Sequence, residues 1–449
     1  MPRRAAVVGG GWSGIAAALT LADAGRQVTV LDAAPQLGGR ARRVEVALGD
    51  RSYPLDNGQH LLIGAYRDTL ALMRRVGVDP DRVFLRQPFA LRYPDGFRLQ
   101  AAALPAPLHL AAALLTARGL PWSARLAMAW DVERWKRAGW TTSPSRSAAD
   151  LVARQPRVLI ERVWEPLCVA ALNVRLQDAC AQVFLTVLRD SLGADAAASD
   201  LLLPRVDLSA LLPDGAATAL AERGVTLRLR TVVAGMQPVD RGGWHLLGRD
   251  GTPLPSAPRD DAVGAAFDAI VLALPPDRAA DLLAPLPALG AYVAQLQQVA
   301  SAPIATVYLR YDAGTRLPHP VSALVEQPAQ GDFGQWVFDR GTLDPRCDGV
   351  VSVVVSASGP HQALGRDAIC AGVAAQLSRA LGLPPPLAMK LIEDKRATIV
   401  PAPGFTRPPV VLPLPGLYLA GDAADSAYPS TIEGSVRSGL AAARALLAA

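Results

Sequence analysis

Residues 5–14 read Ala5-Ala6-Val7-Val8-Gly9-Gly10-Gly11-Trp12-Ser13-Gly14, and an alanine- and leucine-rich run from Ile15 to Ala24 follows, closed by Gly25 and then by Gln27-Val28-Thr29-Val30-Leu31-Asp32. The wholly apolar Ala5–Val8 suits a strand covered on both faces of a parallel sheet. Gly9, Gly11 and Gly14 form a G-x-G-x-x-G turn: the first permits the bend, the second lets backbone approach a pyrophosphate, and the third lets helix and strand pack closely. Ile15–Ala24 is expected to be a helix whose unpaired N–H groups face the phosphates, and Trp12, Ser13 and Gly14 of the turn before it are expected cofactor contacts. Asp32, 32 − 14 = 18 positions after the last glycine, stands where a carboxylate receives a ribose hydroxyl. The order strand, turn, helix, strand, acid predicts a Rossmann-like α/β dinucleotide site. The uncharged run Ala5–Ala22 after Arg3 and Arg4 superficially suggests a signal peptide or membrane span, but four glycines in its first half argue against a spanning helix.

Three further stretches extend the site. Ala33-Ala34-Pro35-Gln36-Leu37-Gly38-Gly39-Arg40 resembles the extension of flavin amine oxidases and carotenoid-desaturase-like enzymes, in which Gly-Gly-Arg contacts the FAD diphosphate. An arginine neutralises phosphate bidentately, as lysine does not. Near the other end, Gly416-Leu417-Tyr418-Leu419-Ala420-Gly421-Asp422 resembles the last buried strand and Gly-Asp turn of such enzymes. Tyr428-Pro429-Ser430-Thr431-Ile432-Glu433-Gly434 then starts a helix aimed at the flavin ring, which makes Thr431, Ile432 and Glu433 expected contacts. In mid-chain an alternating strand is expected over 224–236, with Val233 near the adenine, and Phe267–Pro275 resembles another strand of the superfamily. The resemblance implies FAD, held without a covalent bond, since neither histidine nor cysteine stands in the C-terminal motif.

Chain length and composition set the frame. The 449 residues exceed one compact core, and 51% apolar with 19% charged residues fits a globular protein. The cofactor domain is expected over 1–84, 200–290 and 405–449, with an α+β substrate domain over 85–199 and 291–404. Helices are expected over 104–117, 124–138 and 367–381, and strands over 304–311 and 350–356. Five of the eight tryptophans fall in the first insert, which reads either as a packed helical core or as a greasy channel opening at a membrane. The net charge of +5 comes from arginines scattered along the chain, with only three lysines and no basic stripe of the kind nucleic acid requires. Cys168, Cys180, Cys347 and Cys370 show no CxxC spacing, so they read as reduced, buried residues of a cytoplasmic protein and not as a metal site.

Between Pro54 and Gly77 the chain reads PLDNGQHLLIGAYRDTLALMRRVG, which resembles the characteristic segment of hydroxysqualene dehydroxylases. Trp164–Cys168, Val187–Leu192 and Leu202–Ser209 agree, whereas Asn173-Val174-Arg175 departs from the expected Asn-Thr-Pro. The resemblance implies reductive dehydroxylation of hydroxysqualene to squalene for hopanoid or other triterpenoid synthesis. It further implies an electron donor that the sequence does not identify, and peripheral contact with the inner face of the cytoplasmic membrane. Within that segment Gly58 is an expected cofactor contact, His60 the first-choice proton donor, and Asp56 the group that orients it or stabilises a cation. Tyr66 and Tyr428 are weaker donor candidates. Three other readings stay open here: a carotenoid-type desaturase, a flavin amine oxidase, and a prenyl-binding protein of the same fold without catalysis.

Overall fold

The computed structural model describes residues 3–240, 242–256 and 266–449; Arg241 and residues 257–265 of the expected 200–290 segment lie outside the described residues. Among the described residues, five parallel strands lie in the spatial order Thr226–Arg228, Gln27–Leu31, Arg4–Val8, Ala269–Leu272 and Leu417–Leu419. Parallel pairing requires crossovers, which cover both faces with other elements, and the residue pattern follows. Ala5, Val7, Val28, Val30, Val271 and Tyr418 face a cluster formed with the helices Trp12–Asp23 and Ile432–Ala448. Ala6, Val8, Leu31, Ile270, Leu272, Leu417 and Leu419 face the opposite side, against Met236, Trp244, Phe267 and the helix Pro276–Leu283. Fully burying each large aliphatic side chain contributes roughly 1.5–3 kcal/mol, so this two-sided burial fixes the sheet.

A second, antiparallel sheet runs in the order Val321–Ala323, Trp336–Asp339, Val350–Ser356, Ser301–Arg310 and Ala388–Ile399. One face, with Val307, Leu309, Val351, Val353 and Val355, packs on Ile369, Val373 and Leu377 of the helix Arg366–Leu381. The other face presents Trp336, Phe338 and Val354 to the helical insert.

Several expectations shift. The strand anticipated over 224–236 is split into Thr226–Arg228 and Gly235–Pro238, because the chain turns through a left-handed Arg230 (φ 54°). The insert helices run Leu108–Thr116 and Trp122–Arg137. Its tryptophans divide: Trp135, Trp140 and Trp164 are core, whereas Trp122 and Trp130 are 62% and 72% exposed. The hairpin Arg43–Leu48/Arg51–Asp56 packs Val46, Leu48, Tyr53 and Leu55 on Tyr308 and Val350 of the antiparallel sheet. The segment 1–84 therefore serves both layers, where the sequence suggested the cofactor layer alone. All four cysteines are buried and unpaired.

Candidate active site

The glycine turn is shaped by close approach. Gly9 adopts φ 107°, and a Cβ there would lie 2.2 Å from the carbonyl oxygen of Ala273 on the neighbouring strand loop. A Cβ on Gly14 would lie 1.9 Å from the Gly9 oxygen, and one on Gly439 would lie 2.0 Å from the Ser13 oxygen. The first helix and the C-terminal helix are thereby pressed together along Ser13. The helix Trp12–Asp23 starts at Gly11 with no side-chain cap and no acid in its first turn. A side chain there would lower the positive potential of the helix start, so its absence suits an anionic ligand. Gly11 faces Gly39, whose added Cβ would come 3.1 Å from the Gly11 Cα, and the Gly38 N–H donates to the Gly10 oxygen at 2.9 Å. Trp12 is buried, and its indole N–H donates to the Ala41 oxygen at 3.0 Å.

Asp32 accepts from the Gly10 N–H at 2.6 Å and from the Ala34 N–H at 2.7 Å, which holds the turn at the end of its strand. Its oxygens keep further acceptor capacity for a hydroxyl. The Thr231 N–H donates to the Asp32 carbonyl at 2.9 Å, bringing the segment of Val233 to this end, where Val233 packs half-buried on the cluster of Val8 and Leu31.

Arg40 and Asp422, 382 residues apart, form an ion pair. The Arg40 guanidinium also donates to the Ala397 oxygen at 2.8 Å, while Ser430 Oγ donates to Asp422 at 2.8 Å. The Asp422 charge raises Arg40 above its ordinary value. Burial works to raise Asp422, but the Arg40 charge and hydrogen bond overcome it and hold the carboxyl below the usual range. Arg40 thus remains a permanent cation whose side chain is 39% exposed at the cavity. Gly421, at φ 75°, stands against Ser13 and donates its N–H to Ser438 Oγ at 2.9 Å. An open helix start, glycines that leave backbone bare, a fixed cation and a carboxylate at a strand end suit a flavin dinucleotide.

The segment after the hairpin lies between the two sheets. Asn57 Nδ2 donates to the Arg40 carbonyl at 2.8 Å; the Gln59 N–H donates to Thr306 Oγ1 at 3.0 Å, and Gln59 Oε1 accepts from Ser352 Oγ at 2.9 Å. Gly58 and His60 consequently reach the cavity wall. His60 Nδ1 is 2.7 Å from the Gly58 carbonyl, so Nδ1 carries the proton and Nε2 is left as an acceptor in the neutral ring. Burial lowers the His60 value from its ordinary range; the Gly58 carbonyl opposes this and the Arg40 charge adds to it. Tyr66 and Tyr428 line the same cavity, and burial keeps both phenols protonated. Arg437 stacks on the Tyr428 ring at 4.2 Å, and the Tyr428 hydroxyl is buried without a hydrogen-bond partner.

Two expectations are corrected. Asp56 does not orient His60: its carboxylate accepts the Leu208 N–H at 2.7 Å, and its carbonyl accepts from the Tyr308 hydroxyl at 2.9 Å. Asp56 closes its strand, and the chain then turns, so the four-residue spacing separates the carboxylate from the ring. Burial, opposed by the Arg340 charge and the Leu208 bond, pushes Asp56 up to about 7. Glu433 does not face the cavity either. Fully buried, it accepts from the Thr69 N–H at 2.9 Å, the Thr69 hydroxyl at 2.7 Å and Arg437 Nε at 2.8 Å. It caps the helix Arg67–Arg75, while its neighbours Thr431 and Ile432 line the cavity.

The far side of the cavity is apolar, with Phe89, Phe184, Val187, Leu201, Trp336 and Phe338 on its wall. No sequence signal marked these residues as lining. Asn173, left-handed at φ 57°, was also missed as a site residue. It donates to Pro303 at 3.1 Å and Thr398 at 2.9 Å, and accepts from the Ala357 N–H at 2.7 Å. The departure at Arg175 is compensated, because the guanidinium grips Glu326 through bonds of 2.8 and 2.6 Å.

Comparison with known proteins agrees with this geometry. The sequence pattern of the flavin-containing amine oxidoreductases matches residues 12–447. The hydroxysqualene dehydroxylase of Rhodopseudomonas palustris is 30% identical, covering 100% of this chain and 99% of that protein. A Synechococcus elongatus protein named "Probable zeta-carotene desaturase" is 25% identical, covering 99% of each. The structure of an oxidoreductase from Methanosarcina mazei superposes with a TM-score of 0.71 at 15% identity, covering 97% of this chain and 99% of that one.

Proposed function

The chain belongs to the flavin-containing amine oxidoreductase family and is similar over its whole length to a hydroxysqualene dehydroxylase; from this premise we propose that it removes the hydroxyl of hydroxysqualene reductively, giving squalene. It is an FAD-dependent oxidoreductase, and what remains to be proposed is its substrate and the residues that act on it. The observation that carries the proposal is one cavity with two unlike ends. Arg40, Gly58, Thr431 and Ile432 form the cofactor end, Phe184, Trp336 and Phe338 the apolar end, and His60, Tyr66 and Tyr428 bring titratable groups to the same space.

In the overall balance the carbon–oxygen bond breaks, a carbon–hydrogen bond forms, and hydroxyl plus a proton leave as water. Bound FAD, once reduced, supplies the hydride for the new carbon–hydrogen bond. The chain binds the hydrocarbon arms on its apolar wall, which excludes water from the reacting carbon. Arg40 and the start of the first helix would hold the diphosphate. His60 is assigned the proton delivered to the departing hydroxyl, given up by Nε2 of its imidazolium form while Nδ1–H stays bonded to the Gly58 carbonyl; the ring is left neutral and takes up a proton from solvent before the next turnover. An external donor must restore the reduced cofactor after each turnover. Desaturation of a carotenoid precursor is the second reading, favoured by the full-length similarity to the Synechococcus protein.

The test is anaerobic incubation of the photoreduced protein with hydroxysqualene. Reoxidation of the flavin in step with squalene formation is expected. Reoxidation without squalene, or none at all, rejects the proposal, and oxidised protein that dehydrogenates phytoene instead supports the second reading.

A further inference from the structure

Outside the cavity, the helical insert carries an apolar surface. Six large apolar side chains stand exposed within one short stretch: Leu104, Leu108, Leu115, Trp122, Leu126 and Trp130 are 44–72% exposed. On the helix Leu108–Thr116 the outward residues recur as Leu108, Ala111 and Leu115, and on Trp122–Arg137 as Trp122, Leu126 and Trp130, while Ala113, Ala124, Met128 and Trp135 face inward. Each helix therefore exposes large apolar side chains opposite its core face, a pattern that water does not favour, while the end of the second helix exposes Glu133, Arg134, Lys136 and Arg137.

The turn between the helices is built for a dry environment. Arg125 folds back and donates to the carbonyls of Leu115 at 2.6 Å, Ala117 at 2.7 Å and Leu120 at 3.0 Å, with its guanidinium 4.5 Å from the Trp122 ring centre. Carbonyls at a helix end ordinarily rely on water; here one side chain satisfies them internally. Residues 104–137 hold five basic residues (Arg118, Arg125, Arg134, Lys136, Arg137) against two acidic ones (Asp131, Glu133); Arg134 pairs with Asp131 and Arg137 with Glu133, so the net positive charge rests on Arg118, Arg125 and Lys136. Arg154 lines the same surface groove as Leu126 and Trp130. Exposed tryptophan and leucine together with this net positive charge complement an anionic lipid surface.

We propose that the helix pair Leu108–Thr116 and Trp122–Arg137 is a monotopic docking surface for an anionic phospholipid bilayer. Among the described residues no helix is long and apolar enough to cross a membrane, so contact is by one side only. Ala113, Ala124, Met128 and Trp135 belong to the same apolar cluster as Phe184, Trp336 and Phe338 of the cavity. The surface thus deepens the proposed reading, on which it rests for its purpose: a lipid-dissolved isoprenoid is taken up beside the cavity that holds it.

The test uses the flavin-loaded protein and flotation with vesicles of phosphatidylcholine alone or mixed with phosphatidylglycerol. Wild type is expected to float with the mixed vesicles, less at high salt, and only weakly with phosphatidylcholine. The combined variant Leu115→Ser, Trp122→Ser, Leu126→Ser, Trp130→Ser is expected to lose at least about tenfold in partitioning, while retaining its flavin spectrum. The pair Leu364→Ser and Val411→Ser, exposed elsewhere, is expected to bind as wild type. Wild type that stays with the soluble fraction, or a fourfold variant that floats equally, overturns the proposal. Dimers that form without vesicles and are broken by the fourfold variant, with no flotation, assign the face to a second copy of the chain and also overturn it. Turnover of detergent-dispersed hydroxysqualene is read in parallel. Flotation without turnover rejects the substrate and leaves the surface standing; turnover without flotation does the reverse.

Discussion

The two ends of the cavity are built by opposite means. The cofactor end, with the glycine turn that Gly39 and Arg40 join to it, is built from backbone, glycine and one fixed ion pair, with approaches such as that of Gly14 to Gly9 leaving no space for a methyl group. At the apolar end Phe184, Val187 and Trp336 make a wall in which shape is shared among many side chains. A rigid, charged ligand needs fixed donors, whereas a flexible hydrocarbon needs only volume and dryness. The first end should therefore fail abruptly when altered, and the second should degrade gradually.

The largest effect is expected from Gly439→Leu or Gly14→Val, which place a Cβ 2.0 and 1.9 Å from backbone oxygens. Neither variant should yield folded, yellow protein, and a normal flavin spectrum from either would break the comparison. His60→Gln should lower turnover by about 100-fold or more with the flavin still bound. Because burial holds the imidazole below its usual range, its acid form gains population only as pH falls, so wild-type turnover should rise below that range; a flat profile together with an active variant would transfer the proton to Tyr66 or Tyr428. Arg40→Ala takes from the buried Asp422 its ion-pair partner, leaving it the Ser430 hydroxyl, and should weaken flavin binding by roughly 100-fold in titrations of the apoprotein. Val187→Ala, at the apolar end, should raise KM only a few-fold with kcat unchanged, the mark of lost uniform binding. A collapse of kcat in that variant would show that the apolar wall positions the reacting carbon as strictly as the other end holds its ligand.

The same contrast explains what could be read in advance. The glycine turn was legible because close backbone approach admits only glycine, and the convergence of Asp32, Arg40 and Asp422 on it because each stands beside a glycine motif at a strand end. The apolar wall was not: Phe89, Phe184 and Phe338 obey the same periodicity as any core residue, and nothing local distinguishes a side chain bordering a cavity from one filling a core. Asp56 and Glu433 misled for a related reason. Each lies near the cavity along the chain, but the turn after Arg51–Asp56 and the rotation from Ile432 to Glu433 point their carboxylates at backbone N–H groups of Leu208 and Thr69. Proximity in sequence fixed the neighbourhood, and direction depended on a partner more than 100 residues away. The Arg125 cap of the helix turn was invisible for a different reason: its three carbonyl partners lie within ten residues of it but follow no motif.

The apposition of Ser13 and Gly439 spans 439 − 13 = 426 residues. Contacts between such distant parts of a polymer form slowly, so the nucleotide has a complete seat only after the segments that separate Ser13 from Gly439 have found their place. Until then the half-assembled apoprotein presents an unpaired strand edge to proteases and to its own kind. A cell short of riboflavin should on this account hold less of the protein rather than the same amount idling, because the vitamin sets how many nascent chains survive.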